Sequence, residues 1–321
     1  MSACPGVVQE VFQESLRLAD ERLSAAVAEA SGFFEAIRPQ LSGGKRLRPL
    51  VLFMCAYGEQ GPPLPLAAQL AASVELVHLA SLMHDDVIDE AEERRGLRSV
   101  PAVVGARRAV LAGDFLAAAA YREIALADLP EAGTLLSEAV VQMTLSEVSG
   151  SLKAGQLMAE AEYLELISGK TAALFGAAAE MGALSTHAGE RQLAGFRSYG
   201  QALGMAFQLR DDLLDLYGDA DRLGKGVYRD LAGGLYTLPI IYAAQGPGGA
   251  AIKQRLSQLQ AAGQSDSLAA EIAGMARDLG GEEHAVAVMG GFVEAACEAV
   301  PDCAAKPWLL DLARYVAARG N

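Results

Sequence analysis

The chain predicts an all-helical protein, on three observations. Apolar residues recur at helical period from end to end, no stretch sustains the alternation of a strand, and the 52% hydrophobic content includes only 6% aromatics. A core rich in Ala, Leu and Val suits closely packed helices, and the 12 prolines fall mostly between the periodic segments. No composition shift marks a boundary, so residues 1–321 are read as a single domain.

Taken in order, the periodic segments predict helices near 6–31, 47–59, 64–93, 107–127, 131–153, 162–185, 188–219, 236–245, 250–262, 266–279, 283–299 and 306–318. Ser42-Gly43-Gly44 separates the first two and leads into a basic cluster. Arg94 to Pro101 breaks the long third helix, and Gly224 to Gly234 forms a Gly-rich loop carrying charges. Gly246-Pro247-Gly248-Gly249 is a plain linker.

The bulk properties exclude several classes. A net charge of −14 opposes nucleic acid or an anionic membrane surface as partner, since both require a basic patch. The N-terminus lacks the basic start and apolar core of a signal peptide. The longest apolar stretch, Leu64 to Met83, is broken by Gln69, Ser73, Glu75 and His78, so no stable membrane insertion is expected. Cys4, Cys55, Cys297 and Cys303 show no zinc-ligand spacing and read as reduced thiols of a cytoplasmic protein.

Two acidic clusters carry the chemistry. Asp85, Asp86 and Asp89 spell DDxxD at the end of an apolar helix; Asp211, Asp212 and Asp215 repeat the spelling 126 residues later. At about 100° per residue, the first and last aspartates of each cluster share a face, and Gln208 joins the second. Like carboxylates at that spacing cost a helix about 0.2–0.5 kcal/mol per pair unless a cation neutralises them. One such cluster alone reads as a solvated helix end. Two, each following an apolar run, read as hard oxygen ligands for Mg²⁺, which shares its shell with substrate phosphates.

The basic groups point to the same class of ligand. Lys45, Arg46 and Arg48 put three cations in four residues; Arg94 and Arg95 follow the first cluster, Lys170-Thr171 follows a glycine, and Lys225 follows the second cluster. Each alone is an ordinary surface charge. As a set in an acidic chain they are the partners that a diphosphate needs. His78, two turns before Asp85, reads either as a core histidine or as part of that set.

In order and spacing, GGKRLRP, HDDVIDEAEERRG, AVLAGDFL, GKTAALF, FQLRDDLLD, GK and DL…TLP resemble the trans-prenyltransferase family of polyprenyl diphosphate synthases, long-chain type. The resemblance runs from about residue 10 to the closing LLDLARYVAAR. It implies the isoprenoid synthase fold, a bundle of antiparallel helices around a deep central cavity, and a homodimer. The implied reaction joins isopentenyl diphosphate head-to-tail to an allylic diphosphate, with Mg²⁺, three ions per site, and no protein nucleophile.

Carried over by residue, the resemblance makes Asp85, Asp86, Asp89, Lys170, Asp211 and Asp212 the catalytic set, with Asp85, Asp89 and Asp211 on the metal and Asp86, Asp212 and Asp215 in support. Arg94, Lys170, Thr171, Gln208 and Lys225 fall to the allylic diphosphate. Lys45, Arg48, His78 and Arg95 fall to isopentenyl diphosphate. One departure stands out: where the family commonly has lysine before TLP, this chain has Leu235, which removes one ammonium.

Product length is read from the helix leading to Asp85. Ser81, Val77, Val74 and Leu70 follow one flank at successive turns with Ala80 beside them, and a five-carbon unit spans roughly one turn, about 5 Å. Family members that stop early carry an aromatic at the positions of Ala80 and Ser81; both are small here. A product of about C30 to C45 follows by that analogy. Two rivals are weighed: a non-catalytic or partner-dependent subunit of a heteromeric synthase, for which Leu235 is the only hint, and a terpene cyclase, which would lack the second DDxxD.

Overall fold

Good helix formers without β-branched runs drive nearly every segment into helix, and the positions of glycine and proline decide where each one stops. The structure, a computed structural model, describes residues 6–41, 44–57, 61, 65–94, 96–218, 227–262 and 265–319. Among them are α1 (Gly6–Val27), α2 (Leu47–Cys55), α3 (Leu66–Ile88), α4 (Ala106–Leu126), α5 (Pro130–Leu152), α6 (Glu160–Ile167) and α7 (Ala173–Leu184). There follow α8 (Glu190–Tyr217), α9 (Leu238–Gln245), α10 (Gly249–Ala262), α11 (Asp266–Asp278), α12 (Gly281–Ala299) and α13 (Lys306–Ala318).

The bundle is centred on α3, which packs on α1, α2 and α4, and on α8, which packs on α7 and α12. Buried side chains form one continuous cluster from Phe12 to Val316. By length and composition α3 alone, among the described residues, could cross a membrane, yet 78% of its most apolar window is buried inside the protein. Its hydropathy belongs to the middle of a bundle. The three described cysteines are free thiols.

Three departures from the predicted elements shape the site. First, α3 ends at Ile88 rather than near residue 93; Glu90 takes a positive φ of 49°, and Glu93–Arg94 pairs antiparallel with Leu97–Arg98. Second, the predicted helix 162–185 is interrupted by a π-helical turn, Ser168–Ala172, an irregularity that recurs at functional sites. Third, a short helix, Arg229–Ala232, follows Tyr228, which stands in the left-handed region at φ 64°.

Close helix approach explains how the second cluster is aimed. A Cβ on Gly204 would lie 2.5 Å from the Cα of Ala172, and one on Gly200 would lie 2.4 Å from the carbonyl of Phe175. Glycines four residues apart thus let α8 lie against α7 and the π-turn. One turn further along α8 stands Gln208, beside Thr171.

Candidate active site

Asp85 and Asp211 line a single cavity of about 1040 Å³, although 126 residues separate them. α3 contributes Val77, His78, Ala80, Ser81, His84 and Asp85; the start of α2 and the residues before it bring Lys45, Arg46 and Arg48. The π-turn adds Lys170 and Thr171, α8 adds Gln208 and Asp211, and Glu147, Arg94, Arg229 and Arg319 complete the polar wall. Among the described residues, seven basic and four acidic side chains face this space in a chain whose net charge is −14.

The first cluster divides its three carboxylates. Asp85 lines the cavity, and burial pushes its carboxyl up to about 6, with Lys170 opposing and Glu147 adding to the shift. Asp89, one turn on at the exposed mouth, is also raised by burial, with Lys170, Arg94 and Arg229 opposing. Asp86 points the other way: it is buried and accepts a 2.6 Å hydrogen bond from Nε of Arg94. Asp86 thus holds Arg94, because the turn at Glu90 folds the hairpin back over it.

The second cluster is bonded internally. Asp211 Oδ1 accepts from Arg319 at 2.6 Å. Asp212, placed with the catalytic residues by sequence, lies in the core and does not line the cavity; it accepts from Tyr163 Oη and, at 2.9 Å, from Gln208. Burial pushes its carboxyl well up, and nearby Asp230 adds to this. Asp215 accepts from the backbone N–H groups of Arg229 and Asp230, both at 3.2 Å, and so seats the short helix. Gln208 also accepts from Thr171 at 2.6 Å, which ties the second cluster to the π-turn.

Lys170 bonds Glu147 at 2.7 Å; a Cβ on Gly169 would meet Ser146 Oγ at 2.0 Å, so only glycine lets the π-turn lie on α5 there. Burial alone would lower the lysine, but Glu147, Asp85 and Asp89 outweigh it and the group is raised, hence cationic. Arg48 and Arg319, from opposite ends of the chain, stack on Phe175 and Phe207 at 4.6 and 3.8 Å, and those two rings pack together at 5.4 Å. Arg46 ties Glu75 at 2.6 Å and Asp20 at 3.0 Å, which satisfies the buried Glu75.

Of the chain-length positions, Val77, Ala80 and Ser81 line the cavity together with Ala117, Tyr121, Val140 and Met143. Val74 and Leu70 do not: both are fully buried in the core. Arg95 and Lys225 lie outside the described residues. Sequence reasoning missed Glu147, Arg229 and Arg319. None belongs to a motif, and Arg319 stands at the end of a segment whose resemblance had been noted without assigning a role.

No three His, Cys, Asp or Glu side chains converge among the described residues into a preformed metal cage. The donor set still suits Mg²⁺, which keeps its waters and takes one or two carboxylates plus substrate phosphates. Asp85 and Asp89 offer such carboxylates, with little positive charge on their own helix.

A model of the polyprenyl synthetase family matches residues 33–273. The chain is 34% identical over 242 residues to nonaprenyl diphosphate synthase from Mycobacterium tuberculosis, covering 75% of this chain and 69% of that protein. It is 32% identical over 300 residues to the short chain isoprenyl diphosphate synthase of Methanothermobacter thermautotrophicus, covering 91% of each. A polyprenyl synthase from Caulobacter crescentus, solved with calcium and isoprenyl diphosphate, superposes with a TM-score of 0.88 at 29% identity, over 98% of this chain and 97% of that one.

Proposed function

The chain belongs to the polyprenyl synthetase family and is a trans-polyprenyl diphosphate synthase, and from that premise we propose how its residues divide the work. Isopentenyl diphosphate condenses head-to-tail with an allylic diphosphate in the cavity shared by Asp85 and Asp211. That shared cavity is the observation that carries the assignment.

Asp85, Asp89 and Asp211 hold Mg²⁺, three ions per site, which supply positive charge to the departing diphosphate. Lys170, Arg94, Thr171, Gln208 and Lys225 bind the allylic diphosphate. Asp86 fixes Arg94, Glu147 fixes Lys170, and Asp212 fixes Gln208. Lys45, Arg48, Arg95 and His78 bind isopentenyl diphosphate; the Phe175 ring under Arg48 helps to keep that guanidinium in place. The allylic C–O bond breaks with its electron pair leaving on the diphosphate. The isopentenyl double bond forms the new C–C bond, and its lost proton passes to the released diphosphate. The apolar wall keeps water from the cation.

The product is long, about C30 to C45, because Ala80, Ser81 and Val77 leave the wall between α3, α4 and α5 open to a growing chain. Ala80→Phe or Ser81→Phe shortens it to about C15–C20 by mass analysis, and unchanged products in both variants reject that wall. The protein is a single-domain, cytoplasmic enzyme and a homodimer. Support for the dimer comes from α5, where exposed Val141, Leu145, Val148 and Leu152 form one stripe at helical spacing.

The direct test is the purified chain alone with Mg²⁺, farnesyl diphosphate and labelled isopentenyl diphosphate. Chain elongation that stops on chelation supports the assignment. Mg²⁺-dependent diphosphate binding without turnover would favour the partner-dependent subunit instead.

A further inference from the structure

Seven basic side chains line the cavity, and six already have a partner. Arg46 is held by Glu75, Arg94 by Asp86, Lys170 by Glu147 and Arg319 by Asp211. Arg48 stacks on Phe175, and Lys45 has an electrostatic or hydrogen-bonding partner of its own. Arg229 differs: among the described residues no carboxylate pairs with its side chain, which stands exposed at the mouth and faces the same space as Asp85.

Its backbone is nonetheless fixed. Tyr228, in the left-handed region, donates its N–H to the carbonyl of Asp215 at 2.8 Å, and the Asp215 carboxylate takes the N–H groups of Arg229 and Asp230. The side chain therefore leaves a clamped turn on the second cluster's side and lines the cavity that Asp85 and Asp211 share. A fixed base whose guanidinium has no carboxylate partner among the described residues is suited to a dianionic group that arrives with the substrate.

Six residues further on, Leu235 donates its N–H to Asp230 at 2.8 Å, and its side chain packs against the hydrophobic core; it does not line the cavity. The position where a lysine was expected thus contributes no charge, while an arginine on the same short segment does. We propose that Arg229 binds the allylic diphosphate and supplies the cation that Leu235 lacks. This rests on the prenyl-transfer reading above and adds a residue that neither the motifs nor the resemblance assigned.

The experiment measures steady-state kinetics for both substrates, and calorimetric binding of inorganic diphosphate with and without Mg²⁺, in the wild type, Arg229→Ala, Arg229→Lys and Arg229→Ala/Leu235→Lys. Loss of a charge-assisted contact raises the allylic KM about tenfold in Arg229→Ala and weakens diphosphate binding about as much, with the isopentenyl KM unchanged. Arg229→Lys keeps most of the affinity, and Leu235→Lys restores it in the Arg229→Ala background. An unaltered allylic KM and diphosphate affinity in Arg229→Ala overturns the proposal. So does an equal rise in both KM values with a lowered melting temperature, which marks a merely structural residue. A wild-type protein without prenyl transfer would instead defeat the parent assignment, and diphosphate binding would still report on Arg229.

Discussion

The two DDxxD clusters have the same spelling and opposite surroundings. In the first cluster Asp85 lines the cavity and Asp89 stands exposed just past the end of α3, both with their proton affinities raised by burial. On α8 every carboxylate has a bonded partner: Asp211 has Arg319, Asp212 has Tyr163 and Gln208, and Asp215 has two backbone N–H groups. In the first cluster, among the described residues, Asp86 alone is bonded to a side chain, whereas all three carboxylates of the second are bonded within the protein. A motif fixes which atoms are on offer, and packing decides which of them remain available to a ligand.

That difference predicts unequal variants. Asp85→Ala removes a cavity carboxylate assigned to the metal, and kcat should fall by about 10³. Asp212→Asn, equal in shape and remote from the cavity, should lower kcat no more than about tenfold. Single-turnover kinetics with farnesyl diphosphate compares them directly. Equal losses would mean that the buried carboxylate acts on substrate after all.

Proton competition separates the clusters next. With its carboxyl raised to about 6, ion-free Asp85 is ionised above that pH and protonated below it. Substrate-free Mg²⁺ affinity should be flat above pH 6 and should weaken by up to about tenfold per unit as pH falls below it. Calorimetric titrations at pH 5, 6, 7 and 8 check this. An affinity that ignores pH over that span would move the ion away from Asp85.

Much of this was legible in the chain, for identifiable reasons. The long helices follow from periodicity, because each buries one apolar face, and both acidic clusters fell on helices, except that Asp89 caps the end of α3. What escaped was set by tertiary contact. Glu90, Arg46 and Tyr228 adopt positive φ without being glycine, so nothing local marks the turns that they make. Those turns bring Arg94 over Asp86 and Arg229 to the cavity mouth. Glu147 sits on an unremarkable face of α5 and matters only because the π-turn lays Lys170 beside it. Val74 lies beyond the cavity wall because a helical flank read from spacing does not say how deep the cavity reaches.

The scaffold role of the second cluster can be tested through stability. Tyr163→Phe leaves Asp212 buried with Gln208 as its remaining side-chain donor, a loss of about 1–3 kcal/mol for an under-satisfied buried polar group. Urea unfolding should shift by that amount while the KM values stay within about twofold. A stable variant with a raised allylic KM would show that the tyrosine tunes the site rather than the fold.

The smallest effect concerns Arg319, where the contrast between the clusters is adjustable. Its Nη2 is shared between Asp211 and the carbonyl of Phe207, its plane rests on the Phe207 ring, and its own carbonyl accepts from Arg210. The guanidinium thus occupies the place of a counterion on the carboxylate assigned to metal. Mg²⁺ must share or displace that hydrogen bond, so Arg319→Ala should tighten substrate-free Mg²⁺ binding by about threefold, a change expected for one exchanged charge contact in a solvated cavity. Weaker binding in the variant would mean that Arg319 holds Asp211 in position, and the second cluster would then be preorganised for metal rather than shielded from it.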